Sequence, residues 1–311
     1  MKIALVFPGQ ASQYVGMGKD LAIGYRAAAE VFDAADRALD EPFHKLLWEG
    51  PEGDLNLTAN TQPGVLTVSV AAWRVLQTAR PQLEPAFLAG HSLGEYSAHV
   101  AAGTLTFADA VGAVRKRGQF MQEAVPVGVG SMAALIGMEP EAVAVTCLEA
   151  AQGQVVVPAN DNAPGQVVIA GHAQAVQRAI DLARTRGCKR AVLLPVSAPF
   201  HCALMAPARQ NLEPVLAGIR FSAPAWPVIA NVDARPTSTA AEARDKLTAQ
   251  VDSPVRWRET LLAFKEAGVD TIIEVGPGTV LCGLAKRVNK DWKLLNVENT
   301  ESLEKTLAAL A

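Results

Sequence analysis

Residues 87–90, Phe-Leu-Ala-Gly, form a short apolar run that meets a helical pattern through Gly90-His91-Ser92-Leu93-Gly94. No other segment constrains the fold as much. Glycine on both sides of the serine lets a strand and a helix crowd together, so the turn between them is sharp. A serine in that turn stands free at the top of a sheet, facing the N–H groups that open the following helix. Residues 3–7 read as a second short buried strand, ended by Pro8-Gly9. Helical patterns cover residues 21–39, 62–76 and 107–123. The first half of the chain is therefore α/β in rhythm.

A different order follows. Residues 131–136 predict a strand, 139–150 a helix, 154–159 and 166–170 two strands, 172–186 a helix and 190–195 a strand. That is the β-α-β-β-α-β succession of ferredoxin-like domains. It reads as an insert, because α/β patterning resumes with helices at 203–217, 240–250 and 258–267 and strands at 228–231 and 271–275. Helices at 280–288 and 302–310 then flank a strand at 293–297. The crossings lie near Pro126 and Ser197. The expected organisation is one unit from residues 1–126 and 197–311, with a subdomain at 127–196.

Apolar residues make up 50% and charged residues 19% of the 311, enough to bury a large core and too apolar for a disordered chain. The formal charge is −3 and no long basic run occurs, so nucleic-acid binding is not expected. Cys147, Cys188, Cys202 and Cys282 contain no C-x-x-C spacing, which argues against a metal site and a disulfide framework. Buried thiols in a reducing compartment are the simpler reading. The apolar run at 3–7 is too short for a signal peptide. The longest uncharged stretches, 124–138 and 191–208, are broken by Pro, Gly, Ser or His, and neither reads as a membrane span. A cytoplasmic chain without membrane contact is expected.

A serine nucleophile needs a base. Among five histidines, His91 neighbours the serine but points away in such a turn, and His99 lies two turns into the helix. His44 and His172 stand at helix starts without supporting residues. His201 is the best candidate, because it follows Ser197-Ala198-Pro199-Phe200 in a loop after a strand, where α/β sheets place their sites. Cys202 beside it lacks the turn that Ser92 has. Arg117, within Arg115-Lys116-Arg117, reads by itself as part of a solvated helix face.

Five segments then stand in order: Phe7-Pro8-Gly9-Gln10-Ala11-Ser12-Gln13, Gly90-His91-Ser92-Leu93-Gly94-Glu95, Arg117-Gly118 with Met121-Gln122, Pro199-Phe200-His201, and Glu274-Val275-Gly276-Pro277-Gly278. Their order and spacing resemble the malonyl-CoA:acyl carrier protein transacylases of bacterial fatty acid synthesis. The acyltransferase domains of polyketide synthases share these motifs. The resemblance runs essentially end to end. It implies an α/β-hydrolase-like core with a parallel sheet, carrying the ferredoxin-like insert. It further implies transfer of malonyl from malonyl-CoA to the phosphopantetheine thiol of holo-acyl carrier protein. The protein would then be a monomer with no tightly bound cofactor. Two alternatives stay open: a stand-alone malonyltransferase serving a polyketide synthase, and a serine thioesterase or esterase.

The resemblance also assigns residues. Ser92 would carry the malonyl ester and His201 would relay the proton. Gln250 would replace the usual acid, orienting His201 through a carbonyl oxygen. The N–H groups of Gln10 and Leu93 would form the oxyanion hole. Arg117 would fork onto the free carboxylate of the substrate, leaving Arg115 and Lys116 as surface charge. Phe200, with Leu93, would favour malonyl over methylmalonyl by volume. Asn160, Asn162, Gln166 and Asn231 match polar positions near the cleft. Lys189, Arg190, Lys286 and Arg287 are candidates for docking an acidic carrier. One departure is Ala11, where the family usually has Gly. Its Cβ is expected to be tolerated only at negative φ.

Overall fold

Two sheets organise the chain in a computed structural model that describes residues 1–196 and 198–310. Ser197, the expected second crossing, and Ala311 lie outside the described residues. The strands are β1 (Ile3–Phe7), β2 (Phe87–Gly90), β3 (Gly130–Ile136), β4 (Val156–Ala163), β5 (Gln166–His172), β6 (Arg190–Leu193), β7 (Val228–Ile229), β8 (Pro236–Thr237), β9 (Thr271–Val275) and β10 (Lys293–Val297). The larger sheet has the order β10-β9-β1-β2-β7-β8. Its pairs are parallel except β7 with β8. The smaller sheet, β4-β5-β3-β6, is antiparallel throughout.

The alternation of β1 explains the layers. Ile3, Leu5 and Phe7 face one core together with Val65, Leu66, Tyr96 and Val114. Ala4 and Val6 face the opposite core of Trp257, Leu261, Phe264, Ile272 and Leu281. A strand buried on both faces reads as a continuous apolar run, as this one does. The chain adds β2 on one side of β1 and β9 on the other. The loops after β1 and β2 therefore meet where α/β sheets open a crevice.

The smaller sheet divides its faces in the same way. Ala133, Leu135, Val167 and Ile169 pack on the helices Pro140–Ala151 and Ala173–Thr185. Met132, Val168 and Ala170 turn toward the main core. That second face covers the serine turn.

Several expected boundaries shift. The helix expected at 21–39 is two, Lys19–Gly24 and Arg26–Leu39, because Tyr25 is extended at φ −137°. The helix expected from residue 62 begins a turn earlier, as Thr58–Ala79. Pro63 mimics a helix start in the sequence, but Thr61 Oγ1 donating to Leu55 O (2.6 Å) secures the preceding turn. The segment 160–163, expected as a loop, belongs to β4, whose ladder slips at Pro158/Asn160 and Asp161/Ala163. Two short helices, Phe43–Glu49 and Glu52–Leu55, were not legible as patterns.

Candidate active site

The turn after β2 is held by contacts that allow no side chain at its glycines. A Cβ on Gly90 would lie 1.9 Å from the Gly94 carbonyl, and one on Gly94 would lie 2.2 Å from Phe7 O. Ser92 is forced to a left-handed φ of 52°. Asn231, just beyond β7, braces it: Oδ1 accepts from Ser92 N–H (2.7 Å) and Nδ2 donates to Gly90 O (2.8 Å).

His201 lies between β6 and the helix Ala206–Ala217. Its Nε2 lies 2.8 Å from Ser92 Oγ. Its Nδ1 faces two main-chain acceptors, Gln250 O at 3.0 Å and Ser253 O at 3.2 Å. Two acceptors require the proton on Nδ1, so Nε2 presents its lone pair to the serine hydroxyl. Burial, reinforced by the Arg117 charge, pushes the His201 pKa down to about 3. The imidazole is therefore neutral at physiological pH and ready to accept a proton.

Arg117 lies on the helix Phe107–Glu123 and is only 1% exposed. Nη1 donates to Gln62 Oε1 (2.7 Å), and Nη2 to Gln250 Oε1 (2.9 Å) and Ser92 Oγ (3.1 Å). Its Cζ stands 5.7 Å from the Tyr96 ring centroid. Each of its hydrogen-bonding partners is neutral. Burial pulls its guanidinium below the usual arginine range, and Tyr96 and Glu95 oppose that. A buried cation held by neutral groups beside a hydroxyl favours an anionic ligand.

These groups face a cavity of about 130 Å³. Gln10, Gln62, His91, Ser92, Arg117, Asn160 and His201 supply its polar lining, and Ala11, Met121, Met132, Leu194, Val196 and Phe200 the apolar part. Neither the Gln10 nor the Leu93 N–H has a protein acceptor among the described residues. Leu93 caps the helix Gly94–Ala101. Ala11 overturns the expectation of a negative φ: it sits at 81°. Its N–H donates to Gln13 Oε1 (2.8 Å), while Gln10 Nε2 donates to Thr58 Oγ1 (3.2 Å). Those bonds hold the loop against the cost of a left-handed alanine.

Most of the expected site residues converge here. Phe200 and Asn160 line the cavity. Asn162 Oδ1 accepts from His91 Nε2 (2.8 Å), and His91 lines the cavity while the contact to Ser92 Oγ is made by His201. Gln166, on β5, stands apart, with its Oε1 accepting from Arg287 on the helix Val280–Val288. Arg115 is not simple surface charge, since it lies over the Phe43 ring and bonds Glu41 and Asn60. The sequence reading missed Gln62, whose place in an apolar helix pattern carries no signal. It also missed Glu95, a fully buried carboxylate that burial pushes up to about pKa 7.

A serine on a strand–helix turn, with a neutral imidazole on its oxygen, is the arrangement of α/β proteins that work through an acyl-serine. The chain belongs to the acyl transferase domain family, whose model matches residues 4–304. It is 51% identical over 287 residues to the malonyl CoA-acyl carrier protein transacylase of Salmonella typhimurium, covering 92% of this chain and 93% of that one. The structure of the transacylase of that name from Coxiella burnetii superposes with a TM-score of 0.97 at 43% identity, covering 100% of this chain and 98% of the other. A malonyl-transacylase solved in complex with a type II polyketide-synthase acyl-carrier protein gives 0.97 at 46% identity, over 99% and 100% of the two chains.

Proposed function

We propose that this chain transfers malonyl from malonyl-CoA to the phosphopantetheine thiol of an acyl carrier protein, supplying fatty acid synthesis, through a malonyl ester on Ser92. The observation that carries this reading is the buried Arg117 guanidinium, 3.1 Å from the Ser92 hydroxyl and without a carboxylate partner among its hydrogen bonds. The free carboxylate of a malonyl group supplies that partner, in the bidentate geometry guanidinium favours.

The steps follow from the geometry. Ser92 Oγ attacks the thioester carbon while its proton passes to His201 Nε2. The carbonyl oxygen becomes an oxyanion facing the N–H groups of Gln10 and Leu93, each such donor being worth roughly 3–4 kcal/mol at the transition state. The carbon–sulfur bond breaks, and His201 returns the proton to the departing CoA sulfur. The carrier thiol then gives its proton to His201 and attacks the ester, and Ser92 recovers the proton as it leaves. The Gln250 and Ser253 carbonyls hold the tautomer throughout. Phe200 fills the space an α-methyl would need, and Asn160 offers an amide to the bound thioester.

The domain reading belongs to the same proposal: an α/β-hydrolase-like core from 1–126 and 197–311 with a ferredoxin-like subdomain at 127–196. The strand order β4-β5-β3-β6 supports it. The chain would act as a monomer in the cytoplasm, without a tightly bound cofactor. The exposed Lys189, Arg190, Lys286 and Arg287 would face the acidic carrier. Supporting this, Gln166 and Arg190 both pair with Ile136, and Gln166 also bonds Arg287, so the strand edge and the helix Val280–Val288 meet at one place. A polyketide carrier is the second reading, favoured by the likeness to a transacylase solved with one. A thioesterase is disfavoured, because carbonyls rather than a carboxylate face His201 Nδ1.

Brief exposure to malonyl-CoA is expected to add one malonyl mass at Ser92, and holo-acyl carrier protein to remove it as malonyl-carrier. Labelling of a Ser92→Ala protein would sink the proposal. Release of free malonate at one rate with and without carrier would make the chain a hydrolase.

A further inference from the structure

Glu95 follows the serine turn, is fully buried, and takes no part in the steps above. Its Oε2 accepts from Gln250 Nε2 (2.7 Å) and from the Asn231 N–H (2.9 Å). Each of these two residues reaches on to the reacting groups. Gln250 Nε2 also donates to Ser92 O (2.9 Å), and its Oε1 accepts from Arg117 Nη2 (2.9 Å). The side chain of Asn231 accepts from Ser92 N–H.

An amide has a donor end and an acceptor end, and exchanging them is a simple flip. Arg117 is donor-only, so it needs the oxygen of Gln250. With the amide reversed, an NH2 group would face a guanidinium and the cation would lose one of its anchors. Something on the far side of Gln250 must therefore prefer its nitrogen. Three acceptors stand there, the Ser92 carbonyl (2.9 Å), Asn231 Oδ1 (3.4 Å) and Glu95 Oε2 (2.7 Å), and the bond to Glu95 is the shortest. Above about pH 7, where Glu95 is ionised, that bond is charge-assisted and roughly twice as strong as a neutral one.

We propose that Glu95 is a positioning residue that selects the acyl group indirectly, by fixing the Gln250 amide so that its oxygen holds Arg117 over Ser92. The carboxylate is the outer end of a chain Glu95–Gln250–Arg117 whose inner end meets the carboxylate of the substrate. This rests on the malonyl reading of the site. The consequence is a division of labour. Ser92 and His201 keep their contact at 2.8 Å, because Gln250 orients His201 through its main-chain oxygen and not its side chain. Loss of Glu95 disturbs the clamp more than the nucleophile, because the Asn231 side chain still braces Ser92 N–H and Gly90 O.

The test compares two rate constants in Glu95→Gln and Glu95→Ala proteins. One is malonyl loading of Ser92 from malonyl-CoA, read by mass. The other is labelling of Ser92 by an uncharged sulfonyl fluoride. With reagent in excess both are pseudo-first-order and both require folded protein, so the folded fraction cancels in their ratio. The ratio of malonyl loading to sulfonyl labelling is expected to fall roughly tenfold to a hundredfold in Glu95→Ala, the range for one lost charge-assisted hydrogen bond. Glu95→Gln, which keeps the shape and one acceptor, is expected to fall less. If both variants keep the wild-type ratio, whether the two rates drop together or stay unchanged, the proposal is overturned. Failure of the wild-type protein to load malonyl would instead overturn the functional reading itself.

Discussion

Ser92 and His201 meet at 2.8 Å between Oγ and Nε2, and both residues hold left-handed backbone angles, 52° and 59°. Neither is a glycine, so each conformation costs on the order of 1–3 kcal/mol and persists only because its surroundings enforce it. The strain lies in the backbone of the two residues whose side chains exchange a proton. Replacing His201 with alanine is expected to slow malonyl loading by roughly 10² to 10⁴ while leaving the protein folded. Stopped-flow loading followed by mass measurement checks this, and a loss below tenfold would remove His201 from the mechanism.

Arg117 faces the reacting hydroxyl with neutral partners. Arg117→Ala is expected to lower malonyl loading about 10² to 10³-fold, the size of an unpaired buried charge on the substrate. Acetyl loading is expected to hold or rise, since acetyl has no carboxylate to strand. Parallel reactions with malonyl-CoA and acetyl-CoA decide it, and equal losses for both would contradict a carboxylate clamp.

Gln250 contributes its main-chain oxygen to His201 and its side chain to Arg117. Gln250→Ala keeps the first contact and loses the second. Sulfonyl fluoride labelling of Ser92 is therefore expected to stay within about threefold of wild type, while malonyl loading falls roughly tenfold or more. A collapse of both rates would mean that the amide supports the nucleophile directly.

The pH dependence of stability has a definite sign. Burial holds His201 and His99 at pKa values of about 3, so below pH 6.5 the unfolded chain binds protons that the folded one refuses. Stability is then lost as pH falls from 6.5 toward 3, by on the order of a few kcal/mol per histidine. Glu95 works the other way. Burial raises it to about 7, against the pull of the Asn231 and Gln250 hydrogen bonds and of Lys246, with Asp233 adding to the rise. Its contribution declines as pH climbs from 4.5 to 7. Urea titrations at several pH values are expected to show Glu95→Gln removing that decline. In NMR titration the His201 ring is expected to remain neutral down to pH 5; protonation near 6.5 would refute the assignment.

Ala11 holds a φ of 81° in a loop tied by Gln13 and Thr58. Ala11→Gly removes a left-handed penalty of about 1–2 kcal/mol and adds about 0.5–1 kcal/mol of unfolded-state entropy. A net gain of up to roughly 1 kcal/mol is expected, seen as a small rise in Tm. A fall in Tm would show that the loop does not bear this strain.

The nucleophile turn was readable because its glycine spacing is local. Gly90 is demanded by the crossing of a strand and the helix it enters, a few residues apart, whereas the carbonyl that excludes a side chain at Gly94 is that of Phe7 on β1. The succession of strands and helices in the two sheets was readable for the same reason, since strand and helix periods differ over short windows. Gln62 and Glu95 were not, because each acts through a neighbour far along the chain, Arg117 for one and Gln250 for the other. Gln166 shows the converse. It stands in a polar loop pattern like that of Asn160, yet the ladder of β5 directs it to Arg287 and away from the cavity.

By itself the sequence determined the parallel α/β rhythm and the serine on its glycine-flanked turn, because glycine spacing and apolar periodicity act over a few residues, while the family followed from the resemblance carried by five ordered segments. Only the tertiary structure decided which atoms orient the imidazole, why an alanine survives at positive φ, and how a buried carboxylate reaches the clamp. Those outcomes depend mainly on hydrogen bonds between residues far apart in the chain, 48 positions for Gln10 with Thr58, 49 for His201 with Gln250 and 155 for Gln250 with Glu95, and on what is left unpaired when the chain closes around them.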